Sequence, residues 1–163
     1  MTNIHISIKW KPNEKFSLRQ IWYMYTDELK FHDVKVLAIL LMPNHLHLLI
    51  NAESSFRLER LLLRVTLEHS GNKTDEIWTR EVKSVADLLQ VYKYIYTNPV
   101  QSGYVRKVEE YPFSSLQFLL GKEKNLIPIH DPFNFITDPI RILNWLNTCE
   151  KFSPFYPTRF FGT

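Results

Sequence analysis

The sequence predicts an α+β sandwich built on an antiparallel sheet. Three observations predict it. "NIHISIKW" (residues 3–10) alternates Ile4, Ile6 and Ile8 with polar residues, the period of a half-buried strand. "VKVLAILL" and "HLHLLIN" (residues 34–41 and 45–51) are aliphatic runs separated by Met42, Pro43 and Asn44, so they read as antiparallel strands joined by a turn. Segments with three- and four-residue apolar spacing alternate with these strands, as helices covering a sheet do.

Taken in order, the first strand is followed by residues 17–32, where Leu18, Ile21, Trp22, Tyr25 and Leu29 mark an amphipathic helix. "VKVLAILL" carries no charge beyond Lys35 and reads as a central strand; Pro43 cannot donate into a ladder, which ends it. Residues 55–69 are helical, with Leu58, Leu61, Leu62 and Val65 on one side, and "SGNKTDE" reads as a loop. Ser84 is the expected N-cap of a helix running to about Thr97, where Pro99 is expected to stop it. Beyond Gly121 the chain turns proline- and aromatic-rich and ends in "FSPFYPTRFFGT", with one short helix around residues 138–150. We divide it into a domain at 1–121 and a C-terminal tail at 122–163 packed on that domain.

A chain of 163 residues, 45% hydrophobic and 23% charged, suits one globular domain. A net charge of +3 is mildly basic; it permits a nucleic-acid partner without requiring one. The single Cys149 excludes an intrachain disulfide and any cysteine-based zinc site. No signal-peptide or membrane-spanning run is present, so the expected setting is soluble and cytoplasmic.

Two histidines stand out in "LMPNHLHLLI". On a strand, His45 and His47 point one way while Leu46, Leu48 and Ile50 point the other. Two imidazoles side by side can grip one divalent ion, although a solvated strand face also tolerates them. On the helix ending near Pro99, Asp87, Gln90, Tyr94 and Asn98 share a face beside an apolar stripe of Leu88, Val91 and Ile95. Asn98 can offer a carbonyl oxygen to a hard cation and Tyr94 a phenol. Amphipathic packing accounts for Tyr92 and Tyr96, and spacing alone leaves Tyr94 open between packing and chemistry.

Three blocks then carry a family resemblance. "VLAILLMPNHLHLLI", "YIYTNPVQSGYV" and "EYPFSSLQFLLG", in that order over roughly residues 34–121, resemble the single-tyrosine HUH transposases of insertion-sequence type, in particular the REP-associated tyrosine transposases. "IWTREVKS" is similar to the block that usually precedes the tyrosine helix. The resemblance implies a ferredoxin-like sandwich with the histidines on its central sheet. It implies His45, His47 and Asn98 as metal ligands for magnesium or manganese, and Tyr94 as the nucleophile. The implied activity is metal-dependent cleavage and rejoining of single-stranded DNA through a 5′-phosphotyrosine.

Two departures from the family pattern bear on DNA binding: the connection from His47 to Tyr94 is short, and Gln101 and Ser102 replace the usual arginine and alanine. They motivate a second hypothesis, a domesticated relative that binds DNA hairpins and cuts weakly. A third, a water-using hydrolase of small phosphate esters, explains the histidines and leaves Tyr94 idle. Arg57, Arg60 and Arg64 recur at helical spacing and, with Arg80 beside Trp78, are the candidate DNA contacts, although a solvated helix face explains the first three nearly as well. Phe152, Phe155, Phe160 and Phe161 are expected to cover the sheet or a DNA groove. His5, His32, His69 and His130 match no motif. The family contains both dimers and monomers, so the sequence leaves monomer or homodimer open.

Overall fold

The computed structural model describes residues 1–148 apart from 33, 72, 73 and 125. Cys149 and the rings of Phe152, Phe155, Phe160 and Phe161 lie outside the described residues. The elements are β1 (Thr2–Trp10), α1 (Leu18–Leu29), β2 (Lys35–Met42), β3 (His45–Ala52), α2 (Phe56–Ser70), β4 (Thr74–Val82), α3 (Val85–Gln101), a short 3₁₀ turn at Val108–Glu110, α4 (Leu116–Leu119) and α5 (Pro139–Asn147). The strands form one sheet in the order β2-β3-β1-β4 with every neighbouring pair antiparallel. This is the β-α-β-β-α-β ferredoxin-like arrangement, followed by a third helix.

Strand alternation divides the interior into two layers. Ile4, Ile6 and Ile8 of β1 and Leu46, Leu48 and Ile50 of β3 join Ile21, Trp22, Leu58 and Leu62 beneath α1 and α2. Leu37, Leu40, Met42 and Leu49 face the other way, onto Leu88, Val91 and Ile95 of α3. A register shift between Val36 and Ala38 places the consecutive Leu37 and Ala38 both in the α3 layer. The α1 N-terminus is closed by a capping box of Ser17 and Gln20, and Ser84 Oγ accepts from Asp87 N at the start of α3.

Two expectations are corrected here. "SGNKTDE" is not wholly a loop, because β4 begins at Thr74. This strand pairs only with β1, and an edge strand needs one apolar face at most, so its polar residues hid it. Pro99 does not stop its helix, which continues to Gln101. Proline removes only the bond that residue 99 would donate to the preceding turn. The helix ends instead where Ser102 N donates to Asn98 O and Gly103, at φ +75°, takes the left-handed cap.

The outer edge of β2 is covered by later chain. Leu41 N donates to Phe113 O, Ser115 N to Ile39 O and His130 N to Val36 O. Tyr111 Oη donates to Leu41 O at 2.8 Å, and Ser115 Oγ accepts from Ile39 N at 3.0 Å and pairs with Tyr96 Oη at 2.7 Å. The "YPFSS" block is thus a clasp between the sheet edge and α3. Ile127 belongs to the α1/α2 layer, while Phe135, Ile142 and Leu146 belong to the α3 layer. Phe135 is 0% exposed, so Phe135→Ala is expected to cost about 3–5 kcal/mol in a urea titration. A cost under about 1 kcal/mol would contradict its place in that layer.

Candidate active site

The sheet face under α3 gathers polar side chains where a core would hold hydrocarbons. The β2–β3 turn places His45 first on β3, and alternation sends His45 and His47 toward α3. The register of β1 sets Lys9 opposite His45 and Ser7 opposite His47. On the far side of β1, Trp78 faces Ser7 and Arg80 faces His5. The polar half of β1, His5, Ser7 and Lys9, therefore shares the histidine face.

α3 lies across this face. Tyr94 and Asn98 are one helical turn apart and point at the same strand. The Tyr94 ring meets His47 edge to face at 5.2 Å between centroids, and Asn98 Nδ2 lies 3.4 Å from His47 Nε2. His45 and His47 are themselves 4.9 Å apart, ring centre to ring centre. The structure thus brings His45, His47, Tyr94 and Asn98 together, and all four are buried. His5 joins them, its Nε2 3.2 Å from His47 Nδ1.

The protonation pattern leaves lone pairs available. His45 Nδ1 is 2.7 Å from Asn44 Oδ1; that oxygen can only accept, so the proton sits on Nδ1 and Nε2 is left bare. His45 Nε2, Asn98 Oδ1, Ser7 Oγ and His5 Nδ1 are buried without a hydrogen-bond partner. Such atoms are uncommon in a folded interior, and these four gather on one face. Burial holds His45 down to about 4 and His5 down to about 3 against an ordinary value of 6.5. His47 is driven well below it by burial, with the neighbouring His45, His5 and Lys9 adding. All three imidazoles are therefore neutral at pH 7.

Two neutral imidazole nitrogens and an amide oxygen form a donor set that suits a divalent cation. Among the described residues no cluster of three or more His, Cys, Asp or Glu is gathered in a metal-holding geometry.

The candidate arginines are dispersed. Arg80 lies on the histidine face, where it forks onto Asp87 at 2.6 and 2.7 Å and ties β4 to α3. That pairing is the main cause holding the Asp87 carboxyl below its ordinary range. Arg57, Arg60 and Arg64 lie on α2, in the layer on the opposite side of the sheet, with Arg64 paired to Glu28 at 2.6 Å. The structure does not bring those three to the histidines.

No family model matches the chain. A curated protein of Haemophilus influenzae (strain Rd), described as a REP-associated tyrosine transposase, is 26% identical over 112 residues, 56% of this chain and 64% of that protein. The match thus spans less than two thirds of that relative's length. A solved structure of a REP-associated tyrosine transposase bound to a REP hairpin superposes with a TM-score of 0.62 at 18% identity, over 82% of this chain and 88% of that one. In sequence and fold the chain resembles REP-associated tyrosine transposases. The second likeness shows a shared fold. Among the described residues no helix is long and apolar enough to cross a membrane.

Sequence reasoning missed His5. Its signal was present in "NIHISIKW": alternation put His5, Ser7 and Lys9 on one face, but only the pairing register shows that this face meets His47.

The low values of the buried histidines carry a pH signature. Burial also holds His69, in the α1/α2 layer, down to about 4. Below the unfolded value of 6.5 the unfolded chain takes up protons that the folded chain refuses, so folding loses free energy as pH falls. The melting temperature of the metal-free protein is expected to hold above pH 7 and to fall steadily between about pH 6.5 and 4.5. A flat profile over that window would contradict the neutral, buried state of these rings.

Proposed function

We propose that the protein cleaves and rejoins single-stranded DNA, with Tyr94 as the nucleophile and His45, His47 and Asn98 holding magnesium or manganese. The observation that carries this reading is the meeting of Tyr94 and Asn98, from one helix face, with His47 on a buried sheet face. A small-ester hydrolase would leave that placement of Tyr94 without a purpose. The DNA class follows from the resemblance, including the hairpin bound by the structural relative.

The bound cation would supply positive charge to a non-bridging phosphate oxygen and to the charge that builds during attack. The chain's own groups do the rest. α3, anchored by Leu88, Val91 and Ile95, fixes the direction of the Tyr94 phenol, replacing an encounter in solution by a held geometry. The phenol oxygen bonds to phosphorus, the bond from phosphorus to the 3′-oxygen breaks, and the proton given up by the phenol is balanced by the one the departing 3′-oxygen takes on. That oxygen leaves as a 3′-hydroxyl, and the 5′-phosphate stays on Tyr94. Attack by another 3′-hydroxyl reverses the exchange and restores the phenol, so joining needs no nucleotide cofactor. Tyr94 is only 1% exposed.

That burial, with Gln101 and Ser102 in place of the usual arginine and alanine, also supports a hairpin-binding relative of weak catalytic power. Incubation with end-labelled single-stranded and hairpin oligonucleotides plus manganese separates the two. A covalent protein–DNA adduct is expected; retention of the hairpin without an adduct would select the binding relative.

A further inference from the structure

We infer that His5 is a positioning residue whose Nε2 accepts the Nδ1 proton of His47, leaving His47 Nε2 as a lone pair aimed at Asn98. The inference rests on the reading of His45, His47 and Asn98 as a cation site and adds a residue outside the motifs that suggested it.

The argument is one of donors and acceptors. A neutral imidazole carries one proton, so one of its nitrogens donates and the other accepts. Asn98 Nδ2 can only donate, and it lies 3.4 Å from His47 Nε2, which must therefore be the bare nitrogen. The proton of His47 then sits on Nδ1, and the atom facing Nδ1 is His5 Nε2 at 3.2 Å. The chain runs one way, from the Asn98 amide to His47 and from His47 to His5. His45 is held by the same logic, its Nδ1 proton directed at Asn44 Oδ1. Each of the paired histidines thus has its own acceptor at Nδ1, one from the turn and one from β1. A second group that fixes tautomer and ring orientation is what metal-binding histidines ordinarily require.

The placement of His5 supports a fixed ring. It is 1% exposed, and Trp78 meets it edge to face at 5.4 Å. Tyr94 lies on another side at 6.2 Å. The assignment leaves a buried Nδ1–H on His5 with no hydrogen-bond acceptor, a cost it carries.

The test uses the full chain with nitrogen-labelled histidine. Proton–nitrogen correlation spectra of the metal-free protein report the tautomer of each ring, and calorimetry reports manganese affinity. Wild-type His47 is expected in the Nδ1–H form. His5→Phe keeps a ring and removes the acceptor; His47 is expected to shift toward Nε2–H and manganese affinity to fall about 10–100-fold. His5→Gln restores an acceptor oxygen and is expected to return the Nδ1–H form and most of the affinity. The His45 ring, held by Asn44, serves as the folding control and should not change. A wild-type His47 protonated at Nε2 overturns the inference, as does a folded His5→Phe protein with unchanged His47 tautomer and affinity. Should His5→Phe fail to fold, the wild-type spectrum and His5→Gln decide. A wild-type protein that took up no manganese would defeat the cation site itself, while the wild-type tautomer would still settle the role of His5.

Discussion

Tyr94→Phe is expected to reduce the covalent protein–DNA adduct to the level of a protein-free control. The substitution removes one oxygen. The ring, its edge-to-face contact with His47 and its place on α3 all persist, so manganese and hairpin binding should stay within about twofold of wild type. Only a group needed for bond formation gives that split between intact binding and absent chemistry. The neighbouring tyrosines supply the contrast. Burial raises the Tyr92 phenol well above its ordinary value, with Tyr96 adding, and raises Tyr96 as well. Tyr96 is further occupied by Ser115 at 2.7 Å. Tyr92→Phe and Tyr96→Phe should therefore keep adduct formation, with Tyr96→Phe losing about 1 kcal/mol of stability from its broken hydrogen bond. Peptide mapping of the trapped adduct decides. A linked peptide carrying Tyr92 or Tyr96, or an adduct formed by the Tyr94→Phe variant, would remove Tyr94 from the chemistry.

The site was legible in the sequence where its residues sit on one element and illegible where elements meet. His45 and His47 share a strand face because alternation is local, and Tyr94 and Asn98 share a helix face because the helical period is local. That β3 and α3 face one another is a tertiary fact, and the motif resemblance anticipated it. His5 shows the limit. Its face could be read from Ile4, Ile6 and Ile8, but its partner depends on a β1–β3 register that joins residues 42 apart in sequence. The β4 strand was hidden for another reason. Edge pairing asks little of its side chains, and "TDEIWTREV" has only Ile77, Trp78 and Val82 as apolar residues. Pro99 misled because the rule against proline is a rule about helix interiors, whereas here the helix has two residues left to run. The arginines of α2 show a further limit. Helical spacing correctly places Arg57, Arg60 and Arg64 on one side of their helix, but it cannot say which side of the sheet that helix covers.

The double substitution His45→Ala and His47→Ala is expected to take manganese binding below calorimetric detection and strand cleavage to background. With its Nδ1 proton directed elsewhere, each ring presents Nε2 as a lone pair, and the Asn98 amide lies beside that of His47. An amide alone is too weak a donor to hold a hydrated divalent ion against water. The fold should survive, because neither ring belongs to the hydrocarbon layers that join the sheet to its helices. A second signature follows from proton linkage. His45 is held at about 4 and His47 well below 6.5 by burial, so both contribute to the loss of stability as pH falls below 6.5. Without them the acid slope of the melting temperature should become shallower, the remainder arising from His5 and His69. His69→Asn, in the layer beneath α1 and α2, should also soften the acid slope yet leave manganese affinity unchanged. The two variants together separate burial from ligation: both relieve a buried imidazole, and only one removes proposed cation ligands. Unchanged manganese affinity in the double variant would refute the ligand assignment whatever happened to the acid slope.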